Sequence, residues 1–201
     1  KGGYQLGFSL EGQGGKKEGT FDGGGWALRL DTRYSTYYPF NFENRDPERI
    51  PISYIGQKQT GNGSMNHLGD YFFCATEPTL AENGQVSFLL RNIGGVIWFR
   101  ITLPDPATYT EIALVTDNNM FTTEGYYSLK TLTSENIADS KFNAVVSTRK
   151  SSRMTLALND VMTSSENETV NAYMMAPPFD LTGHQMKLYV KSSSGMFYSA
   201  E

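Results

Sequence analysis

Cysteine is nearly missing from this chain: Cys74 is the single one in 201 residues. An internal disulfide framework is therefore excluded, and a core of ordinary size has to hold the fold. Histidine is almost as scarce, with only His67 and His184. Cysteine–histidine or serine–histidine chemistry has few bases to draw on. No run is long and apolar enough to cross a membrane as a helix. Basic excess is lacking too: the formal net charge is −4, spread without a long run. That speaks against a nucleic-acid partner, which asks for a basic face. No helix of three turns and no fixed-period repeat is legible. The glycine clusters at 12–15 and 23–25 are not followed by a helix, so they are loop glycines and not a phosphate loop. Asp117-Asn118-Asn119 lacks calcium-loop spacing and reads as a turn. No metal set and no cofactor is expected.

What is present is alternation. Tyr4, Leu6, Phe8 and Leu10 alternate with small or polar residues, as a strand with one buried face does. The same period recurs at Trp26–Leu30, Met154–Leu158, Val170–Met174 and Met186–Val190. Ile50, Ile52 and Tyr54 make a short strand with Pro51 on its other face, which suggests an edge. The most apolar run, Val86–Leu103, is broken at Gly94-Gly95 and predicts two strands with a kink there. In its second half Ile97, Phe99, Ile101 and Leu103 share one face, and Val96, Trp98, Arg100 and Thr102 the other. Ile112–Val115 predicts a strand buried on both faces, Tyr71–Ala75 a buried strand, and Tyr126–Leu129 a strand beginning after Gly125. Residues 56–70 are polar and rich in Gly and Asn, so they read as a loop. Arg149–Arg153 reads as a solvated hairpin tip. About a dozen short strands between turns predict an all-β antiparallel sandwich, with residues 1–201 as one domain.

Three features bear on chemistry. Cys74 lies in Tyr71-Phe72-Phe73-Cys74-Ala75 and reads as a buried thiol, since free cysteine behaves as a small hydrophobe. Tyr34, Tyr37, Tyr38 and Phe40 form an aromatic cluster that would serve as a glycan platform if exposed and coplanar, with Trp26 and Trp98 as further rings. The plainer alternative is a loop that packs its rings onto the sandwich. Acidic residues such as Asp22, Asp46, Asp70 and Glu77 show no spacing that singles out an acid–base pair. Asn62-Gly63-Ser64 and Asn167-Glu168-Thr169 match the N-glycosylation pattern, which matters only in a eukaryotic secretory host. The opening Lys1-Gly2-Gly3 carries no targeting signal from which to read localisation.

The order of several segments carries a resemblance. A strand ending in Cys74-Ala75 is followed by Val86-Ser87-Phe88 and by Val96-Ile97-Trp98-Phe99-Arg100-Ile101. Then come Tyr109–Thr116, Val170–Gly183 and Met186-Lys187-Leu188-Tyr189-Val190. Over about residues 70–200 this resembles the N-terminal domain of the fimbrillin-like proteins, the surface pilins and pilus-associated lipoproteins of the Bacteroides group. The resemblance implies a transthyretin-like sandwich, export to the outer membrane and cell surface, and a place in a fimbrium. It implies no catalysis. Its partners would be other pilin or accessory subunits, with a host protein or glycan as further candidates. Membrane attachment would come only through a lipid anchor outside these residues, and the family's second sandwich domain has no counterpart within them.

In that family a trypsin-like protease removes the first strand, and a neighbour's strand fills the vacated groove. The resemblance therefore marks Lys16 and Lys17 as the processing site, where the family usually has arginine. It marks Tyr4, Leu6, Phe8 and Leu10 as the removable strand. The alternative is that residues 4–10 form a permanent strand. The leading expectation is a non-catalytic structural or adhesive subunit that assembles by strand addition. The competing one is a carbohydrate-binding surface module.

Overall fold

A computed structural model of the chain describes residues 28–29, 31–41, 43–44, 46–133, 145–195 and 197–200. It is all-β and sandwich-like, with one short 3-10 helix, Asn66–Tyr71, among the described residues. Strands are numbered β1 to β15 in chain order. The largest sheet has the order β15-β14-β9-β12-β4. These are Phe197–Ala200, Met186–Ser192, Thr108–Thr116, Arg153–Met162 and Lys58–Thr60. Neighbours run antiparallel except β4, which lies parallel to β12. The period-two pattern sets which face is inward. Register places Met154 beside Leu114 and Leu156 beside Ile112, and β14 continues the two rows with Leu188 and Val190. Ala113, on the opposite face of β9, is buried as well, so this strand is covered on both sides.

Facing this sheet is the antiparallel pair β8 (Gly95–Thr102) and β13 (Thr169–Ala176), in register from Gly95↔Ala176 to Thr102↔Thr169. Val170, Ala172 and Met174 point inward and are fully buried, opposite Ile101, Phe99 and Ile97. A three-stranded sheet, β11-β10-β3, joins Val145–Ser151, Phe121–Tyr127 and Ile50–Ser53. It adds Ile50, Ile52, Phe121 and Tyr127 to the same apolar cluster. Smaller ladders pair β2 (Tyr37–Tyr38), β5 (Cys74–Ala75) and β7 (Arg91–Asn92), and β1 (Arg33–Tyr34) with β6 (Thr79–Leu80). Burial of an apolar side chain of this size contributes about 1.5–3 kcal/mol, so the cluster is the main term holding the layers together.

Five sequence expectations need correction. Residues 56–70 are not one loop: they hold β4 and the 3-10 helix. Residues 71–75 are strand only at Cys74–Ala75, because Tyr71 still belongs to the helix. The first half of the Val86–Leu103 run has only the two-residue β7; Phe88, Leu89 and Leu90 are exposed and pair with nothing among the described residues. Apolarity alone made that run look like a strand, but a strand needs a partner ladder. Gly125 lies inside β10, at a register irregularity against β11. A Cβ there would stand 2.5 Å from the Val146 carbonyl oxygen, so close backbone approach requires glycine. Finally, Arg149–Arg153 is no hairpin tip. β11 pairs with β10 and β12 with β9, so the chain crosses between sheets at Ser152. Arg149 pairs with Glu124, and Arg153 with Glu111, at this corner.

Candidate functional site

The β8–β13 pair has two edges, and they are built differently. The β13 edge is closed by side chains. Gln57 and Gln59 alternate with Lys58, so both turn inward from the β4 segment and are fully buried. Gln57 Nε2 donates to the Met175 carbonyl at 2.7 Å, and its Oε1 accepts from the Met175 N–H at 2.7 Å. Gln59 repeats the motif one step along, donating to the Asn171 carbonyl and accepting from the Tyr173 N–H, both at 2.9 Å. Asn62 adds a third rung: its Nδ2 donates to the Thr169 carbonyl and its Oδ1 accepts from the Asn171 N–H. His67 Nε2–H donates to the Tyr173 carbonyl at 2.9 Å. Three side-chain amides thus do for β13 what the backbone of a neighbouring strand would do.

This arrangement also fixes which groups of β8 are free. Residues 171, 173 and 175 turn their backbone N–H and C=O groups toward the amides. By antiparallel alternation, residues 170, 172, 174 and 176 bond to β8, where their partners are Ile101, Phe99, Ile97 and Gly95. The backbone groups of Val96, Trp98, Arg100 and Thr102 therefore face outward. They have no backbone partner among the described residues. An eight-residue strand with an open edge is a template for another strand.

An apolar groove lies beside that edge. Ile97 and Phe99 form one wall, Leu114, Met186 and Leu188 the floor, and Phe179 and Leu181 an end; its volume is about 430 Å³. Phe179 is anchored edge-on against buried Phe121, with ring centroids 5.0 Å apart. The floor is only partly covered: Val190 is buried, while Met186 and Leu188 on the same face are half-exposed. Among the described residues, the large sheet thus extends past the narrower layer above it. The start of β8 is held by Gly94, where a Cβ would stand 2.5 Å from Tyr54 Oη and 2.8 Å from the Ala176 carbonyl oxygen.

The outer face of the same pair carries Trp98, 59% exposed, beside Tyr173. Their rings are nearly parallel, at 15° with centroids 6.3 Å apart. Trp98 Nε1–H donates to Asn171 Oδ1 at 3.2 Å.

The sequence-derived candidates fall elsewhere. Lys16, Lys17, Tyr4, Leu6, Phe8, Leu10 and Trp26 lie outside the described residues. Tyr34 accepts a hydrogen bond from the Arg29 N–H through its hydroxyl. Tyr37 and Phe40 are half-buried and tilted at 43°, and Tyr37 packs against the core. Of the four, only Tyr38 is exposed. They do not present a common flat surface. Cys74 is buried and its thiol is pushed up to about 11 by that burial, the reverse of what an activated nucleophile needs. Asn62, noted from sequence only as a glycosylation match, has both amide atoms engaged with β13.

Gln57, Gln59, Asn171 and Tyr173 were missed as site residues. The available signal was the two-residue spacing of the glutamines in Gln57-Lys58-Gln59-Thr60, which is strand spacing in polar dress. No family model, curated protein or solved structure matches this chain.

Proposed function

We propose that this chain is a non-catalytic structural or adhesive subunit of a surface fibre that assembles by β-strand addition. The acceptor is the open edge of β8 with the apolar groove beneath it. The observation that carries this reading is the conjunction of the two: outward backbone groups at Val96, Trp98, Arg100 and Thr102, and a groove lined by Ile97, Phe99, Met186 and Leu188. An added strand completes the ladder, and its alternate side chains fill the groove. A transthyretin-like sandwich at the outer membrane or cell surface, within a fimbrium, is the setting that the fimbrillin resemblance implies. A donor with the Tyr4, Leu6, Phe8, Leu10 period has the required pattern.

The test is digestion of the full chain with a Lys/Arg-specific protease, mass identification of the cut, and electrophoresis without boiling. Cleavage at Lys16 or Lys17 followed by a ladder of multimers is expected. Val96→Pro, which removes an outward-facing N–H, and Leu188→Lys, which puts charge on the groove floor, should each suppress the ladder. A ladder that persists in both folded variants, or no ladder from the cut parent, would sink the reading.

A further inference from the structure

We infer that the outer face of the β8–β13 pair is a separate binding site, for a pyranose glycan that carries a carboxylate. It does not rest on strand addition, which uses the edge and the inner face of β8. Trp98 and Tyr173 sit directly across from each other and hold their rings nearly parallel, 6.3 Å apart. The indole is fixed by its hydrogen bond to Asn171 Oδ1. Tyr173 is fixed through its backbone, which Gln59 and His67 hold from the far side. The rings are thus ordered before any ligand arrives, which removes part of the cost of binding.

The surroundings select the class of ligand. A protein hot spot would want aromatics sunk in a desolvated pocket. Here Trp98 stands on an exposed face with Val96 on one side and polar neighbours, Arg100, Thr102, Thr169 and Asn171, on the other. A pyranose has the matching anatomy, with a C–H face that lies on an aromatic ring and a rim of hydroxyls that meets polar groups. Charge narrows the choice further. Arg100 is exposed, shares the face of Trp98, and makes no ion pair among the described residues. Residues two apart on a strand stand about 7 Å apart, roughly the reach from the centre of a stacked sugar ring to a carboxylate on its rim. The guanidinium can take such a carboxylate with two parallel hydrogen bonds. A uronic acid satisfies both halves of the site; a neutral hexose satisfies one.

The experiment uses the full chain carrying Trp26→Phe, so that Trp98 is the sole tryptophan. It is titrated with oligogalacturonate and with a neutral oligosaccharide of equal length, following tryptophan emission and heat. Saturable binding of oligogalacturonate is expected, with the neutral sugar about tenfold weaker. Arg100→Gln should erase that preference while leaving the weak neutral binding. Trp98→Ala, read by heat, should abolish both, and Tyr173→Ala should weaken both. Thermal melts of each variant check that it stays folded. Absence of saturable binding up to about 10 mM, or equal affinity in parent, Arg100→Gln and Trp98→Ala, would overturn the inference. So would a Trp98-dependent self-association of the chain without sugar binding.

Discussion

The two edges of one two-stranded layer meet opposite fates in this molecule. The edge of β13 has every outward group from the Thr169 carbonyl to the Met175 carbonyl bonded to a side chain of residues 57–67. The edge of β8 has no such partner among the described residues and borders an apolar groove. The difference teaches that an edge can be closed without a strand. Amide side chains carry both a donor and an acceptor, in nearly the geometry of a peptide unit. Spaced two residues apart, they repeat the ladder while their own backbone serves another sheet, here the parallel pairing of β4 with β12. Gln57 and Gln59 thereby belong to both layers and tie them together. Among the described residues this two-stranded layer is therefore closed along β13 and open along β8.

The largest way to break this comparison is to remove the closure. In Gln57→Leu/Gln59→Leu, three backbone groups of β13 (the Met175 N–H and C=O and the Tyr173 N–H) lose their partners in a buried or partly buried setting, while the Asn171 carbonyl keeps the Gly63 N–H. At about 1–3 kcal/mol for each unsatisfied group, the double variant should lose about 5 kcal/mol. That is comparable to the whole stability of many domains. Urea denaturation measures it, and a loss below about 1 kcal/mol would show that water or repacking replaces the amides. Proline placement sharpens the contrast at intermediate size. Tyr173→Pro deletes the N–H that Gln59 accepts and should cost about 3 kcal/mol. Val96→Pro, on the open edge of the same pair, should cost about 1 kcal/mol or less. Equal losses in thermal melts would mean that the two edges are not different after all.

The smallest effect is a matter of pH. Glu168, next to the first residue of β13, accepts hydrogen bonds from the Ser164 and Ser165 N–H groups. Those bonds hold its carboxyl below the usual glutamate range. A lowered folded-state value means that the contribution is present above the ordinary glutamate range. It is lost as pH falls through the lowered value. The amide signals of Ser164 and Ser165 should therefore shift at a pH below ordinary glutamate titration. The amide ladder of Gln57, Gln59 and Asn62 has no titrating group, so the Tyr173 and Met175 amides should stay protected over the same range. Loss of that protection in step with Glu168 would link the closed edge to the turn before it.

The long alternating strands are legible in the residue pattern alone. Met154, Leu156 and Leu158, Val170, Ala172 and Met174, and the two faces of residues 96–102 lie as the period-two pattern places them. Short or polar strands are not legible in that way. Lys58–Thr60 carries no apolar residue, and its one inward residue, Gln59, is polar like Gln57 just before it, so hydrophobic periodicity has nothing to register. The opposite error arises at Phe88–Leu90, where an apolar run stays exposed without a ladder. Of the candidate site, Trp98 and its face are legible. Its partner Tyr173 is not, because cross-strand neighbours 75 positions apart are set by register and not by sequence distance.

By itself, then, the sequence determined the class of this protein: all-β, sandwich-like, with a lone buried cysteine. Period-two patterning and the absence of helical periodicity are local properties, and each strand expresses them on its own. Only the tertiary structure decided which edge is closed and which stays open. A strand's outward N–H and C=O groups look the same in every sequence. Whether they are satisfied depends on what the rest of the chain brings beside them. Here residues 57–67 come back to β13, and nothing among the described residues comes to β8.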